Sequence, residues 1–467
     1  NNLNSPAESA RDFASGTQTL DFATFMERVL ATHPVARQAN ENIAAVRADR
    51  RVALGAFDPT LSVAFDRKAF GNTTYSEGSS AKLAVQTPLG VDLSVSFERA
   101  SGVYLNPERR TPSVGVLSAA VRVPIGQRLL TDERRTGLAV ANATLAAAEA
   151  ERETALNKLL AQAAKDYALW YESGLRGQVA RDAVALSEFR LSGTRQRVAA
   201  GEAAAIDTVE ARLEVRRRAV VLVEAEQSVR AARAALATYW WNDTGRPQEF
   251  SETLMPAPEL ANDPIPVAGR EVSPVTTAAF RWQAYVRVHP DVRRARARLE
   301  VQLSTARLAR QGLLPNAFVE MGTLSPADDW RQPADIGSSK ISAGLSQSLL
   351  LLRERGKAAA ASARVNMQYA DVARVEREVE AGITIANTEL QTVQQLLVLQ
   401  RLTVEDARVL QAAEQARFAA GESTLFLVNS RDRTVLEESL KMTALVAKRL
   451  TAAVLLRVAL GTAVPSR

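Results

Sequence analysis

The 467-residue sequence predicts a mainly helical protein of two tandem repeats, each running helix, strands, long helix, return helix, with strands of membrane β-barrel type. Three observations predict it. First, two tracts, Ile125 to Arg246 and Ala334 to Val464, hold none of the chain's 18 prolines. An interior proline costs a helix about 3 kcal/mol, so its exclusion over such lengths preserves very long helices. Second, the pattern is duplicated: His33-Pro34 leads after 25 residues to Pro59 and His289-Pro290 after the same 25 to Pro315, while Arg197 to Glu202 is echoed by Arg417 to Glu422. Third, short segments ahead of each tract alternate polar and apolar side chains, the period of a strand with two unlike faces.

Composition narrows the class. Aromatic residues make up only 5% of the chain, low for a compact core of this size, and alanine, leucine, arginine and glutamate dominate, as in helices packed closely side by side. The net charge is +6, but arginines alternate with glutamates, as at Glu149, Arg152 and Glu153 or Arg374, Glu376, Arg377 and Glu378. Such interleaving writes a solvated helix face and argues against nucleic acid as a partner. With no cysteine there is no disulfide and no thiolate metal site. No run of eighteen apolar residues encodes a membrane helix. The start at Asn1, without methionine or a signal-peptide pattern, reads as a trimmed mature chain.

Along the chain, residues 1–19 are irregular and the first repeat occupies 20–241. Pro34 opens a helix that runs to Gly55, since proline is harmless at the first helical position. Strands are expected at Thr60 to Phe70, Ser80 to Thr87, Gly90 to Arg99 and Ser113 to Val123. In these, Leu61, Val63 and Phe65 alternate with Ser62, Ala64 and Asp66, and Val91, Leu93, Val95 and Phe97 with Asp92, Ser94, Ser96 and Glu98. A helix from about Leu129 to Ala199 follows, stopped by Gly201, and a return helix from Ala205 ends near Trp241. A proline-rich connector spans 242–276. The second repeat, 277–460, starts a helix at Pro290, has only two strands, Asn316 to Leu324 and Ser339 to Leu349, a long helix from Leu352 to Ala419, the stop at Gly421 and a return helix from Leu425 to Leu460; residues 461–467 form a tail.

At 1.5 Å per residue each long helix would reach roughly 100 Å. Leu156, Leu160, Ala163, Tyr167 and Trp170 step by four, three, four and three, a heptad seam. A soluble antiparallel coiled coil would explain that seam equally well; strands greasy on one side favour a lipid-facing barrel with a wet lumen. Inward strand residues Lys82, Asp92, Glu98 and Ser342 are then the candidates to line the lumen.

Two units of helix, strands, long helix, glycine corner and return helix resemble the TolC family of outer-membrane efflux and secretion channels, and the likeness covers nearly the whole chain. Its most specific carriers are the corners, Arg197 to Gly201 with Asp207, and Arg417 to Gly421. The resemblance implies a homotrimer whose strands close one barrel in outer-membrane lipid, continuous with a helical barrel in the periplasm. It implies a passive conduit of a tripartite efflux pump or type I secretion system, with a periplasmic adaptor and an inner-membrane transporter as partners. The adaptor would meet the corners, represented by Arg197, Gly201, Glu202, Asp207, Arg417, Gly421 and Glu422.

Two departures stand out. Where family members place pore-narrowing aspartates, this chain has Leu427 and Ser430, and a tyrosine–arginine latch would fall on Phe418 and Ser423. The closed aperture is therefore expected to rest on apolar contact at Leu425, Phe426 and Leu427, with Ser430 beside them. The first repeat also carries an extra hairpin: six strands per protomer would give an eighteen-stranded barrel in place of the family's twelve, unless the hairpin covers the barrel mouth. The rival class is a periplasmic adaptor with coiled-coil hairpins. An enzyme is not expected: no phosphate loop, nucleophile elbow or HExxH occurs, and His33 and His289 occupy duplicated helix-capping positions, so no catalytic residue, metal or cofactor is assigned. Trp330, Tyr75 and Tyr104 are candidates for an interfacial aromatic belt.

Overall fold

The computed structural model describes residues 19–251, 253–257, 282–328 and 338–463. Most of the irregular N-terminal segment, most of the connector, Trp330 and the last tail residues lie outside them. In chain order the first repeat holds β1 (Thr19–Leu20), α1 (Phe22–Thr32), α2 (Pro34–Gly55), β2 (Thr60–Phe70), β3 (Thr73–Gln86), β4 (Asp92–Ser101), β5 (Val116–Pro124), α3 (Glu133–Ala199) and α4 (Ala205–Ala237). After β6 (Met255–Pro256) the second holds α5 (Trp282–Val288), α6 (Pro290–Gln311), β7 (Asn316–Pro326), β8 (Ser339–Ser346), α7 (Leu352–Ala419) and α8 (Leu425–Ala459).

The compact units do not follow the repeats. One comprises Asn1–Asn40, Glu151–Val292 and Glu376–Arg467, the other Glu41–Ala150 and Arg293–Val375, so each draws on both repeats and the division falls inside α2, α3, α6 and α7. Helices of 67 and 68 residues are too long to belong to one compact body.

In the first unit the heptad seam of α3 is the core: Leu156 and Leu160 are buried, and Ala163, Tyr167 and Trp170 are fully buried. The aromatic rings of α1 close on it, Phe22 and Phe25 lying 5.2 and 5.3 Å from Tyr167, whose hydroxyl donates to the Leu20 carbonyl at 2.7 Å. The first residues of the predicted connector pack here too: Phe250 stacks edge-on to Trp170 and Trp240, and β6 pairs in parallel with β1. α4 stops at Ala237, short of the expected Trp241, because Thr238 caps it and Asn242 closes a turn by accepting from the Arg246 N–H at 2.8 Å.

The two histidines do the same work in the two repeats. Nδ1 of His33 accepts the Val35 N–H and Nδ1 of His289 accepts the Asp291 N–H, both at 3.2 Å, which satisfies an otherwise orphaned donor behind each helix-starting proline. A helix precedes each cap as well, α1 before His33 and α5 before His289, so the chain kinks from one helix into the next.

The second unit carries the sheet, in the order β2-β3-β4-β5-β7-β8, antiparallel throughout. All six strands belong to one sheet, so the extra hairpin is part of it and not a cover over its end. β3 begins at Thr73 where the sequence reading started it at Ser80: Gly71 and Asn72, both at positive φ (56° and 61°), make a two-residue turn that brings Thr73 opposite Phe70. β8 ends at Ser346, short of Leu349, and α3 starts at Glu133 where Asp132 accepts the Arg135 N–H at 2.8 Å. Beneath the sheet α6 and α7 pack through Ala306, Ala361 and Val365.

The capping histidines generate a pH prediction. Burial holds both imidazoles below their ordinary pKa; at His289 the Asp291 carboxylate and a Val458 backbone hydrogen bond push the other way without reversing it. A depressed folded pKa means that stability is full above about 6.5, the unfolded value, and is lost as pH falls toward the folded one. The melting temperature should therefore drop between pH 7.5 and 5.5, and drop less in His289→Asn, which keeps a short acceptor but does not titrate; an equal drop in both proteins would contradict the assignment.

Candidate functional site: the helix corners and the two-faced sheet

Each corner in the first unit is built by the same glycine-terminated motif. Gly201 and Gly421 adopt φ of 75° and 78°, a left-handed conformation open to glycine at little cost. The amides of Glu202 and Glu422 then donate back to the Arg197 and Arg417 carbonyls, each at 2.9 Å. Beyond the first corner Asp207 lies in the first turn of α4, where a carboxylate meets the positive end of the helix dipole. Beyond the second, the Thr424 hydroxyl caps α8 by accepting from Leu427 N–H. Arg197, Glu202, Arg417 and Glu422 are all exposed. The Arg197 guanidinium stands 5.2 Å from the Phe418 ring, so the position expected to hold a tyrosine latch makes a cation–π contact across the two corners.

The aperture residues separate. Leu425 turns into the protomer core with Leu191 and Ala211, backed by Val215 and Phe418, so it cannot belong to an apolar ring facing a pore. Phe426 and Leu427 remain exposed, 65% and 41%, with Ser430 also exposed. Of the expected trio, only Phe426 and Leu427 are exposed in the protomer.

Above the corner the structure shows a group that the sequence reading passed over. Asp432 of α8, almost fully buried, accepts from Gln411 of α7 at 2.8 Å, from Arg190 of α3 at 3.2 Å and from Arg218 of α4 at 3.3 Å. One carboxylate therefore touches three other helices. Arg218 also donates to Glu214 at 3.2 Å and to the Ala183 carbonyl at 3.0 Å, and Arg433 reaches Glu214 at 3.3 Å. Burial, reinforced by the Arg218 charge, pulls Arg190 down to about 10, with Glu214 opposing; it is still a cation at neutral pH. Buried charges survive only when paired and hydrogen-bonded, and removing one partner of such a set costs about 3–5 kcal/mol. The signal was in the spacing: Leu425, Val428 and Asp432 share one face of α8, and Ala211, Glu214 and Arg218 one face of α4.

In the second unit the register sorts the sheet into two faces. Lys82 pairs with Ser96, two residues from Glu98 and four from Asp92, and the Asp92 row continues through Arg122 and Glu320 to Ser342. All four candidate lumen residues thus lie on one face. The row is knit by charge: Arg122 lies 3.9 Å from Glu320 and over the Phe318 ring, and Arg134 is 3.7 Å from Asp92. The other face carries two cross-strand rows, Leu61, Leu83 and Val95 in one and Leu93, Val121, Met321 and Ile341 in the next, all exposed. At the far end of the sheet Tyr75 stacks 4.6 Å from Tyr104. No cluster of His, Cys, Asp or Glu fit for a metal occurs among the described residues, and none of the described helices is long and apolar enough to cross a membrane.

Comparison with known proteins fits this architecture. Residues 285–462 match the family model described as outer membrane efflux protein. No curated protein matches the sequence. Among solved structures the fold is shared with the Neisseria gonorrhoeae MtrE outer membrane channel in its open state (16% identity, TM-score 0.65, 94% of this chain and 88% of that one). It is shared likewise with the Campylobacter jejuni CmeC outer membrane channel (12%, 0.63, 94% and 85%) and the outer membrane protein VceC of Vibrio cholerae (15%, 0.61, 94% and 95%). The second repeat thus matches the outer membrane efflux protein model, and the chain shares its fold over nearly its whole length with outer membrane channels.

Proposed function

We propose that three copies assemble into one duct, each contributing its six strands to a closed barrel of eighteen in the outer membrane and its long helices to a barrel in the periplasm. The observation that carries this is the sheet, whose apolar face is exposed and whose edge strands β2 and β8 run in opposite directions. The β8 edge of one copy can therefore continue antiparallel onto the β2 edge of the next, leaving no open edge in lipid. The polar face, with Lys82, Asp92, Glu98 and Ser342, then lines the lumen.

The corners are the proposed docking ends for a periplasmic adaptor that links the duct to an inner-membrane transporter. Arg197, Glu202, Arg417 and Glu422 offer exposed charges there, on backbone turns fixed by Gly201 and Gly421. Energy comes from the transporter; the duct seals and dilates. Closure rests on Phe426 and Leu427, and the buried set around Asp432 holds α8 to α3, α4 and α7 until recruitment re-packs them.

Planar-bilayer recordings of detergent-purified protein test both parts. Stepwise conductance from a detergent-requiring trimer supports the duct; a freely soluble monomer favours the adaptor class. Trivalent cations on the periplasmic side should block the parent channel weakly, and Leu427→Asp should raise the sensitivity at least tenfold; strong block of the parent would overturn the apolar aperture. Asp432→Ala, which leaves the buried Arg218 and the half-buried Arg190 short of a counter-charge, should melt at lower temperature and dwell longer in the conducting state. Unchanged gating with unchanged melting would remove Asp432 from the closing machinery.

A further inference from the structure

The junctions where strands run into the two long helices carry a feature that conduction does not use. A cleft of about 680 Å³ opens there in the second unit, bounded by the start of α3, the end of α6 and the start of α7. Small residues leave the space: Ala309 on α6 and Gly312 just past its end line the cleft with Ala360 and Ala361 of α7. Four cations line it. Arg134 is engaged by Asp92, but Arg128, Lys357 and Arg364 have no ion pair or side-chain hydrogen bond among the described residues. Of the carboxylates in the cleft, Asp132 is committed to capping α3 and to Arg135, while Glu133 and Glu354 are unengaged. Three free cations beside two free carboxylates make a lining complementary to a ligand that carries both signs of charge.

The surroundings identify where that ligand comes from. Large apolar side chains project from the same junctions: Leu130 is 74% exposed and Leu349 97%, with Leu129, Leu350 and Leu352 also out. They lie just beyond the greasy face of the sheet, which Val121 and Val123 of β5 and Ile341 and Leu345 of β8 carry toward the junctions at alternating spacing, with Ile125 and Leu349 exposed past the strand ends. Leu351 holds φ of +51°, a conformation that costs a side-chain-bearing residue about 1–2 kcal/mol and turns the chain between two exposed leucines. Leucines aimed outward beside a cleft of unpaired charge are what the boundary between acyl chains and headgroups calls for.

Building on the reading of the sheet as membrane-embedded, we propose that this cleft binds the headgroup of a phospholipid bearing a phosphodiester and a primary ammonium. Arg128, Lys357 and Arg364 take the phosphate, Glu133 and Glu354 the ammonium, and the junction leucines the adjoining acyl chains. A phosphodiester suits guanidinium donors, and a primary ammonium, unlike a trimethylated one, can donate hydrogen bonds to carboxylates.

The test uses the purified, delipidated full-length channel in detergent, with dihexanoyl phosphatidylethanolamine, phosphatidylcholine or phosphatidylglycerol added and binding read by native mass spectrometry. The ethanolamine lipid should bind at least tenfold tighter than either of the others, and inorganic phosphate at equal concentration should not displace it. Lys357→Gln with Arg364→Gln should cost at least tenfold. Glu133→Gln with Glu354→Gln should bring the ethanolamine lipid down to the choline lipid. Ala360→Leu, which fills the cleft and keeps every charge, should also abolish binding. Equal affinity for ethanolamine and choline lipids, tighter binding of the glycerol lipid, displacement by free phosphate, or indifference to all three variants would overturn the assignment. Conductance of the same preparations separates the two readings: pores without lipid discrimination sink only this inference, whereas no pores at all sinks the duct.

Discussion

Hydrocarbon offers no partner to a backbone N–H or C=O, and the six-stranded sheet ends in two strands whose outer edges are unpaired among the described residues. A face of exposed leucine, valine, isoleucine and methionine makes water equally unsuitable for it. The proposed duct meets both problems at once: other copies of the same sheet, joined edge to edge, turn the apolar face to lipid and the polar face to an enclosed space. The rest of the architecture follows from having to hold such a ring and feed it. The repeats contribute even numbers of strands to this sheet, four and two, so each set returns the chain to the side it left and hands over to a long helix there.

The helices solve a different problem. In the proposed duct, a tube of long helices must be cohesive along its length yet able to change its packing at the corners. Near the middle the aromatic residues of α1, α3 and the connector supply cohesion, with Tyr167 and Trp170 fully buried. Toward the corners a smaller apolar cluster at Leu191, Ala211 and Leu425 adjoins the Arg190, Arg218, Glu214 and Asp432 set. Such a set stabilises little against a well-packed apolar alternative but is intolerant of imperfect geometry, so it suits a joint with two defined arrangements better than a permanent core.

Much of this was legible in the sequence for physical reasons. Proline exclusion, heptad spacing and period-two alternation are local and depend on backbone geometry alone, so the helices, the seam at Leu156 to Trp170 and both sheet faces could be read directly. The repeated corner sequence likewise fixed Gly201 and Gly421, whose left-handed backbone is demanded by the turn itself. What escaped depends on contacts between elements. Leu425 looked like a pore residue until Leu191 and Ala211 were seen to bury it. The early start of β3 was hidden by a stretch rich in serine, threonine and glycine, where only the Gly71-Asn72 turn signals a hairpin. Asp432 sits among charges that look like an ordinary solvated face unless its registry with Leu425 and Val428 is weighed.

Electron cryo-microscopy of the protein reconstituted in lipid nanodiscs addresses the central claim most directly, because strands around the lipid-embedded ring can be counted. The account predicts a threefold ring of eighteen strands in which β8 of each copy pairs antiparallel with β2 of the next. A sheet that closes within one copy, or a ring that leaves β2 and β3 outside the barrel wall, would contradict it.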